Sequence, residues 1–76
     1  MIYVYSQSAC LPCKQVKDLL NSKGLAFVEY NITEDDAAYE RLTRELQRNS
    51  APTVVFADGY VAVGLKAVQA KVSSLS

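Results

Sequence analysis

The sequence predicts an α/β fold in which three helices cover a four-stranded mixed sheet, in the order β-α-β-α-β-β-α. Three observations support this prediction. Ile2 and Val4 alternate with tyrosines, which is typical of a strand. Apolar residues then recur at helical spacing around Val16. Further along, Asp58-Gly59 separates two β-branched runs, and this dipeptide is a strong indicator of a β-hairpin.

The first strand is predicted over residues 2–5, and a polar loop follows over residues 6–9. From Leu11 the hydrophobic period becomes helical, with an apolar face at Val16, Leu19 and Leu20. We expect Gly24 to end this helix, because glycine adopts the left-handed conformation without a Cβ penalty.

A second strand is predicted over residues 25–31. Thr33, followed three residues later by Asp36, resembles a capping box and predicts a helix start. Residues that continue this helix are Tyr39, Leu42 and Leu46, with basic Arg44 and Arg48 near its end before Asn49-Ser50.

Pro52 opens a third strand over residues 53–56, where a proline at the first position is tolerated. The hairpin leads to a fourth strand over residues 60–63, and Gly64 separates it from a last helix. The inner face of that helix is predicted to be Leu65, Val68, Val72 and Leu75. The sheet is mixed, because the first crossover returns to a parallel strand whereas the hairpin is antiparallel.

Composition and charge restrict the function classes. The chain has 76 residues, half of them hydrophobic, which fits a single globular domain over residues 1–76. Eight basic and eight acidic residues give zero net charge, so neither nucleic acid nor a membrane surface is an expected partner. No apolar stretch is long enough to span a bilayer, and Met1 begins no secretory signal pattern. A cytoplasmic location is therefore expected.

The most informative motif is Cys10-Leu11-Pro12-Cys13, which contains the only two cysteines of a chain without histidine. This spacing at the start of a helix suits a pair that cycles between dithiol and disulfide. Half of a metal site and two buried reduced thiols are the alternatives. Zinc prefers about four Cys, His or carboxylate ligands, and neither a second cysteine pair nor a histidine is present, so no metal is predicted.

Cys10 is the predicted nucleophile, since a helix N-terminus lowers the pKa of a thiol. Cys13, one turn further in, is expected to be covered and to react second. Lys14 could assist, or could simply be solvated. Pro12 lies in the first helical turn, where it either tunes the thiols or only initiates the helix.

The whole chain resembles the glutaredoxin branch of the thioredoxin superfamily, and within it the NrdH-redoxins that supply electrons to ribonucleotide reductase. The shared residues are Val4-Tyr5-Ser6, the two thiols, Lys23-Gly24 and Ala51-Pro52. The NrdH-type segment Trp-Ser-Gly-Phe-Arg-Pro corresponds to residues 62–67, which lack the tryptophan. The segments that hold glutathione in typical glutaredoxins are also different here.

The resemblance implies a thioredoxin fold and a dithiol–disulfide oxidoreductase that reduces protein disulfides such as that of ribonucleotide reductase. It implies that Pro52 is cis and faces the thiols, leaving the Ala51 backbone for an extended substrate. Gly64 matches a glycine whose small size and N–H flank the substrate groove, although a simple helix-entry turn would explain it equally. The substrate-binding residues expected in this way are Leu11, Pro12, Ala51, Pro52 and Gly64.

The expected electron donor is thioredoxin reductase or glutathione, and the expected state is a monomer without a prosthetic group. Two alternatives stay open at this point. One is a glutathione-dependent glutaredoxin. The other is a dimer that holds an iron–sulfur cluster between two Cys10 thiols and two glutathione molecules.

Overall fold

The computed structural model describes residues 1–46 and 51–75. Its centre is one mixed sheet of four strands. Its strands are β1 (Ile2–Ser6), β2 (Phe27–Asn31), β3 (Thr53–Val55) and β4 (Val61–Val63), in the spatial order β2-β1-β3-β4. Strand β1 runs parallel to β2 and antiparallel to β3, which is antiparallel to β4. The predicted fold class and strand arrangement are confirmed.

Helices cover both faces of the sheet. The first helix, α1, spans Leu11–Ser22, and the last, α3, spans Leu65–Leu75. Between them, α2 (Asp36–Glu40) continues directly into a π-helical turn over Arg41–Glu45. Helices α1 and α3 pack together on one face of the sheet. Helix α2 and the π-helical turn lie on the other face.

Alternation along β1 divides the core into two parts. Ile2 and Val4 point to one side, where they join buried residues of α1, α3 and the hairpin: Val16, Leu20, Val54, Phe56, Ala62, Val68 and Val72. Tyr5 points to the opposite side and packs with Ile32, Ala38 and Leu42. Successive side chains of β1 therefore point to opposite faces of the sheet, as the alternating sequence predicts, and different helices cover them.

Four strand limits differ from the prediction, and the first is that β1 extends to Ser6 instead of ending at residue 5. Strand β2 begins at Phe27 instead of residue 25, because the Leu25 N–H bonds to the Leu20 carbonyl at 3.0 Å and closes the end of α1. At the hairpin, the Phe56 N–H bonds to the Tyr60 carbonyl at 2.9 Å, but neither residue belongs to the paired strands. Strands β3 and β4 are correspondingly one residue shorter than predicted.

The second helix begins two residues later than a Thr33 cap would require. Asp35 is the N-cap, and its carboxylate accepts the Ala38 N–H at 3.1 Å. The capping prediction for Thr33 is wrong, because that hydroxyl is engaged by the loop before the thiols, accepting the Ser8 N–H at 3.1 Å. The predicted helix end, with Arg48 and Asn49-Ser50, lies outside the described residues.

Gly24 ends the first helix region as predicted. It follows the C-cap residue Lys23, has a φ of 70°, and donates its N–H to the Asn21 carbonyl at 3.0 Å. In the described ranges, none of the helices combines the length and the apolar character needed to cross a bilayer.

Candidate active site

The two cysteines lie at the start of α1 and are joined by a disulfide. Their Cα atoms are 5.2 Å apart, within the range that a disulfide requires. Cys10 is the N-cap of α1 in an extended conformation, and its Sγ accepts the Cys13 N–H at 3.2 Å. The sulfur of Cys10 thus occupies the position at which the free amides and positive dipole end of a helix stabilise negative charge.

Exposure distinguishes the two sulfurs. Cys13 lies one turn inside the helix and is only 1% exposed, whereas Cys10 is partly exposed. The expected accessibility is therefore found: only Cys10 presents surface to a partner molecule. This arrangement suits attack by Cys10 and release by Cys13.

Leu11 and Pro12 occupy the first turn of α1, between the thiols. Leu11 is an apolar side chain that is 65% exposed, so it could contact a partner directly. Pro12 lies where the helix needs no N–H donor, in agreement with its predicted position. Lys14 is also exposed, and its N–H bonds to the Cys10 carbonyl at 3.2 Å.

Ala51 and Pro52 precede β3, and the peptide bond between them is cis, as the resemblance implied. Pro52 is buried and Ala51 is partly buried. The Gly64 N–H donates to the Pro52 carbonyl at 2.9 Å. This bond fastens the turn before α3 to the proline.

A hydrogen-bonded tether holds the loop before the thiols. The Ser8 N–H donates to the Thr33 hydroxyl at 3.1 Å, and the Asn31 side-chain amide donates to the Ser8 hydroxyl at 3.3 Å. The Thr33 N–H in turn donates to the Asn31 side chain at 2.9 Å. The loop then reaches Ala9, whose φ is 54°, immediately before Cys10. No local sequence pattern predicts this tether, because Ser8 lies more than twenty residues from Asn31 and Thr33.

A second polar network lies on the α1 face of the sheet. Ser6 is fully buried, and its hydroxyl donates to Glu29 at 2.6 Å. Lys17, on α1, forms a 2.8 Å ion pair with the same carboxylate oxygen. The Lys17 hydrogen bond, followed by that from Ser6, lowers the pKa of Glu29 below its usual value. This network satisfies the buried polar hydroxyl at the end of β1.

The titratable residues that the structure describes form no candidate metal centre. Across residues 1–46 and 51–75, acidic side chains and cysteines nowhere assemble in a group of three or more that could hold an ion. With both sulfurs in the disulfide, the chemistry available at this site is thiol–disulfide exchange.

Known proteins resemble this chain in sequence and in structure. The glutaredoxin family model matches residues 2–61. A glutaredoxin-like 8.6 kDa protein from the rubredoxin operon of Clostridium pasteurianum is 38% identical over 64 residues, covering 84% of each chain. The glutaredoxin-like protein NrdH of Lactococcus lactis is 37% identical over 54 residues, covering 71% of this chain and 74% of that protein.

One relative is longer. The Gene 56 protein of Mycobacterium phage L5 is 37% identical over 54 residues, 71% of this chain, and the match spans 52% of the phage protein. Among solved structures, the thioredoxin-like protein BC3987 superposes over the whole of both chains with a TM-score of 0.89 and 37% identity. A buckwheat glutaredoxin–glutathione complex, at 24% identity, has a TM-score of 0.77 over 96% of this chain and 68% of that one. The last likeness shows the fold alone.

The fold and the paired thiols define a thioredoxin-fold protein of the thiol–disulfide oxidoreductase class. The chain belongs to the glutaredoxin family, in the branch that contains the NrdH-like proteins.

Proposed function

We propose that the protein is a dithiol–disulfide oxidoreductase that reduces disulfides in other proteins, with Cys10 as the nucleophile and Cys13 as the resolving thiol. The observation that carries the proposal is the partly exposed Cys10 sulfur at the N-terminus of α1, bonded to the buried Cys13. A helix N-terminus favours the thiolate, which is the attacking species in disulfide exchange.

In the reduced protein, the Cys10 thiolate attacks one sulfur of the partner's disulfide. The partner's S–S bond breaks, a mixed disulfide forms, and the displaced sulfur leaves as a thiolate that takes up a proton. Cys13 then loses its proton and attacks the Cys10 sulfur, which forms the intramolecular disulfide and releases the second partner thiolate. Two electrons pass to the partner, and the two sulfurs of this protein are oxidised.

Reduction of insulin by the pre-reduced protein tests this function. We expect the wild type to reduce the insulin disulfides and Cys10→Ser to lose the activity. The loss should leave the fold intact, as measured by circular dichroism, because Cys10 is partly exposed. Insulin reduction by Cys10→Ser at the wild-type rate would contradict the proposal.

For the electron donor, we propose a thioredoxin-reductase-type enzyme in preference to glutathione. The support is the sequence: the glutathione-holding segments of typical glutaredoxins are replaced here by Ser50-Ala51-Pro52 and by residues 63–66. The oxidised protein should be offered NADPH with thioredoxin reductase, and in parallel NADPH with glutathione reductase and glutathione. Faster NADPH consumption in the glutathione arm would overturn this choice.

For the target, we propose a protein disulfide such as that of ribonucleotide reductase, in the cytoplasm and with the oxidoreductase acting as a monomer. The support is the NrdH name borne by the Lactococcus lactis relatives. A ribonucleotide reductase assay that contains this protein as the only dithiol tests the target. Turnover no faster than without the protein would contradict it.

A further inference from the structure

A cavity of about 350 Å³ lies on the sheet face that α1 and α3 do not cover. Its lining residues come from β1, β2, β3, the π-helical turn and the residue that follows that turn: Tyr3, Tyr5, Tyr30, Arg41, Leu46 and Val55. Small-molecule sites in proteins usually have volumes of about 300–1,000 Å³ and apolar walls with a few placed polar groups. This cavity meets both conditions and uses no residue of the thiol site.

Three tyrosines form the aromatic wall of this cavity. The rings of Tyr3 and Tyr30 are stacked with their centroids 6.0 Å apart and an interplanar angle of 19°. Tyr5 packs against Tyr30 at 5.4 Å. Tyr5 is only 3% exposed, whereas Tyr3 is 37% exposed. The aromatic wall is therefore buried at Tyr5 and accessible to solvent at Tyr3. Such a wall offers flat apolar surface to an aromatic ring.

Arg41 places a positive charge beside this wall. Its Cζ lies 5.4 Å from the centroid of the Tyr30 ring, within cation–π distance. Hydrogen bonding to the Tyr5 side chain, followed by that to Tyr30, raises the pKa of Arg41. A guanidinium carries five N–H donors, so donors remain for another acceptor.

Among residues 1–46 and 51–75, no ion pair joins Arg41 to an acidic side chain, although Glu40 and Glu45 line the neighbouring cavity with it. The ion pairs in the described part of the chain involve other cations: Lys17–Glu29, Arg44–Glu40 and Lys71–Asp58. The cavity therefore combines an aromatic wall with a guanidinium that is held in place but has no carboxylate partner among residues 1–46 and 51–75. Guanidinium groups bind carboxylates through paired, charge-assisted hydrogen bonds.

We propose that this cavity binds a small aromatic carboxylate, with its ring on the Tyr3 and Tyr30 side and its carboxylate on Arg41. The ring would bury apolar surface against the tyrosines, and the carboxylate would supply the missing counter-charge. The site is separate from the thiols, so the proposal does not depend on the oxidoreductase function.

Binding can be measured with phenylacetate, using its neutral amide, phenylacetamide, and the ringless acid acetate as controls. Two-dimensional ¹H–¹⁵N NMR would follow the backbone amides of Tyr3, Tyr30 and Arg41. We expect saturable shifts with phenylacetate. Binding of phenylacetamide and of acetate should each be at least about tenfold weaker, because each lacks one of the two interactions.

Arg41→Gln should weaken phenylacetate binding at least about tenfold, the factor expected for loss of a charge-assisted hydrogen bond. Arg44→Gln is the matched control, since Arg44 lies on the same turn but is paired with Glu40 and does not line this cavity. Arg41→Lys keeps the charge without the planar fork and should give intermediate affinity. If phenylacetate produces no saturable shift, or if Arg41→Gln and Arg41→Lys both bind it as tightly as the wild type, the proposal is wrong.

Discussion

Gly64 donates its N–H to the carbonyl of Pro52 at 2.9 Å, so the turn that leads into α3 is fastened to the residue that precedes β3. Gly64 has a φ of 89°, in the region that favours glycine, and a Cβ at this position would meet no atom within 4 Å. The constraint on this residue is therefore its backbone conformation and not the surrounding space.

Gly64→Ala should destabilise the protein by about 1–2 kcal/mol, the cost of a left-handed conformation for an L-residue. Gly24→Ala is a matched control, because Gly24 has a φ of 70° and equally open surroundings but follows α1 instead of contacting Pro52. Urea unfolding should give similar losses for the two variants. Only Gly64→Ala should also slow insulin reduction, and an equal slowing in both variants would count against a role of this turn at the thiol site.

Glu29→Gln should change the acid sensitivity of the fold. The pKa of Glu29 is lowered, so its ionised form stabilises the folded state above the usual value of 4.5, and that contribution is lost as the pH falls through the lowered pKa. Glutamine keeps an acceptor for Ser6 but removes the ion pair with Lys17.

Urea unfolding at pH 3, 5 and 7 measures this effect. Because the ion pair is partly exposed, the difference at pH 7 should be below about 1 kcal/mol, and it should be smaller at pH 3. Glu34→Gln, at an exposed position, is the control. A difference between Glu29→Gln and the wild type that is as large at pH 3 as at pH 7 would show that the charge of Glu29 is not responsible.

Thr33→Val should release the loop that precedes the thiols. The variant keeps the shape of the side chain but removes the oxygen that accepts the Ser8 N–H. We expect faster hydrogen exchange at the Ser8 amide, with a loss of stability of about 1 kcal/mol or less for one exposed hydrogen bond. Thr33→Ser restores the acceptor and should restore protection. Unchanged exchange at Ser8 in Thr33→Val would mean that the tether does not hold this loop in solution.

Cys13→Ser should trap the partner. With Cys10 intact, attack on a disulfide proceeds, but no second thiol is available to resolve the mixed disulfide. Mass spectrometry after incubation with oxidised insulin should find a covalent adduct of Cys13→Ser and none of Cys10→Ser. The opposite pattern would reverse the assignment of the two cysteines.

The sequence was sufficient for the architecture, because the signals that determine it are periodic and local. Alternation in β1, helical spacing around Val16 and the Asp58-Gly59 turn each predict an element that is present. The position of the thiols was also predictable. A Cys-x-x-Cys pair at a strand-to-helix junction places one cysteine at the helix start and the other one turn inside the helix. The cis bond before Pro52 came from the family resemblance and not from the local sequence.

Long-range contacts account for what the sequence did not predict. Thr33 satisfies a local capping pattern, yet its hydroxyl is engaged by Ser8, and Asp35 caps the helix instead. The π-helical turn at Arg41–Glu45 and the hydrogen bond from Gly64 to Pro52 likewise have no local signature. The Ser8–Thr33 and Gly64–Pro52 hydrogen bonds depend on which segments the fold brings together.

The contrast in exposure between Cys10 and Cys13 has a kinetic consequence for the proposed reaction. Capture of a partner is bimolecular, so its rate rises with the concentration of the partner. Release of the partner is unimolecular, because the attacking Cys13 lies on the helix that Cys10 caps and is buried. At high partner concentration the turnover should therefore level off at the rate of the internal step, and that ceiling should be the same for every substrate whose departing thiol has the same acidity.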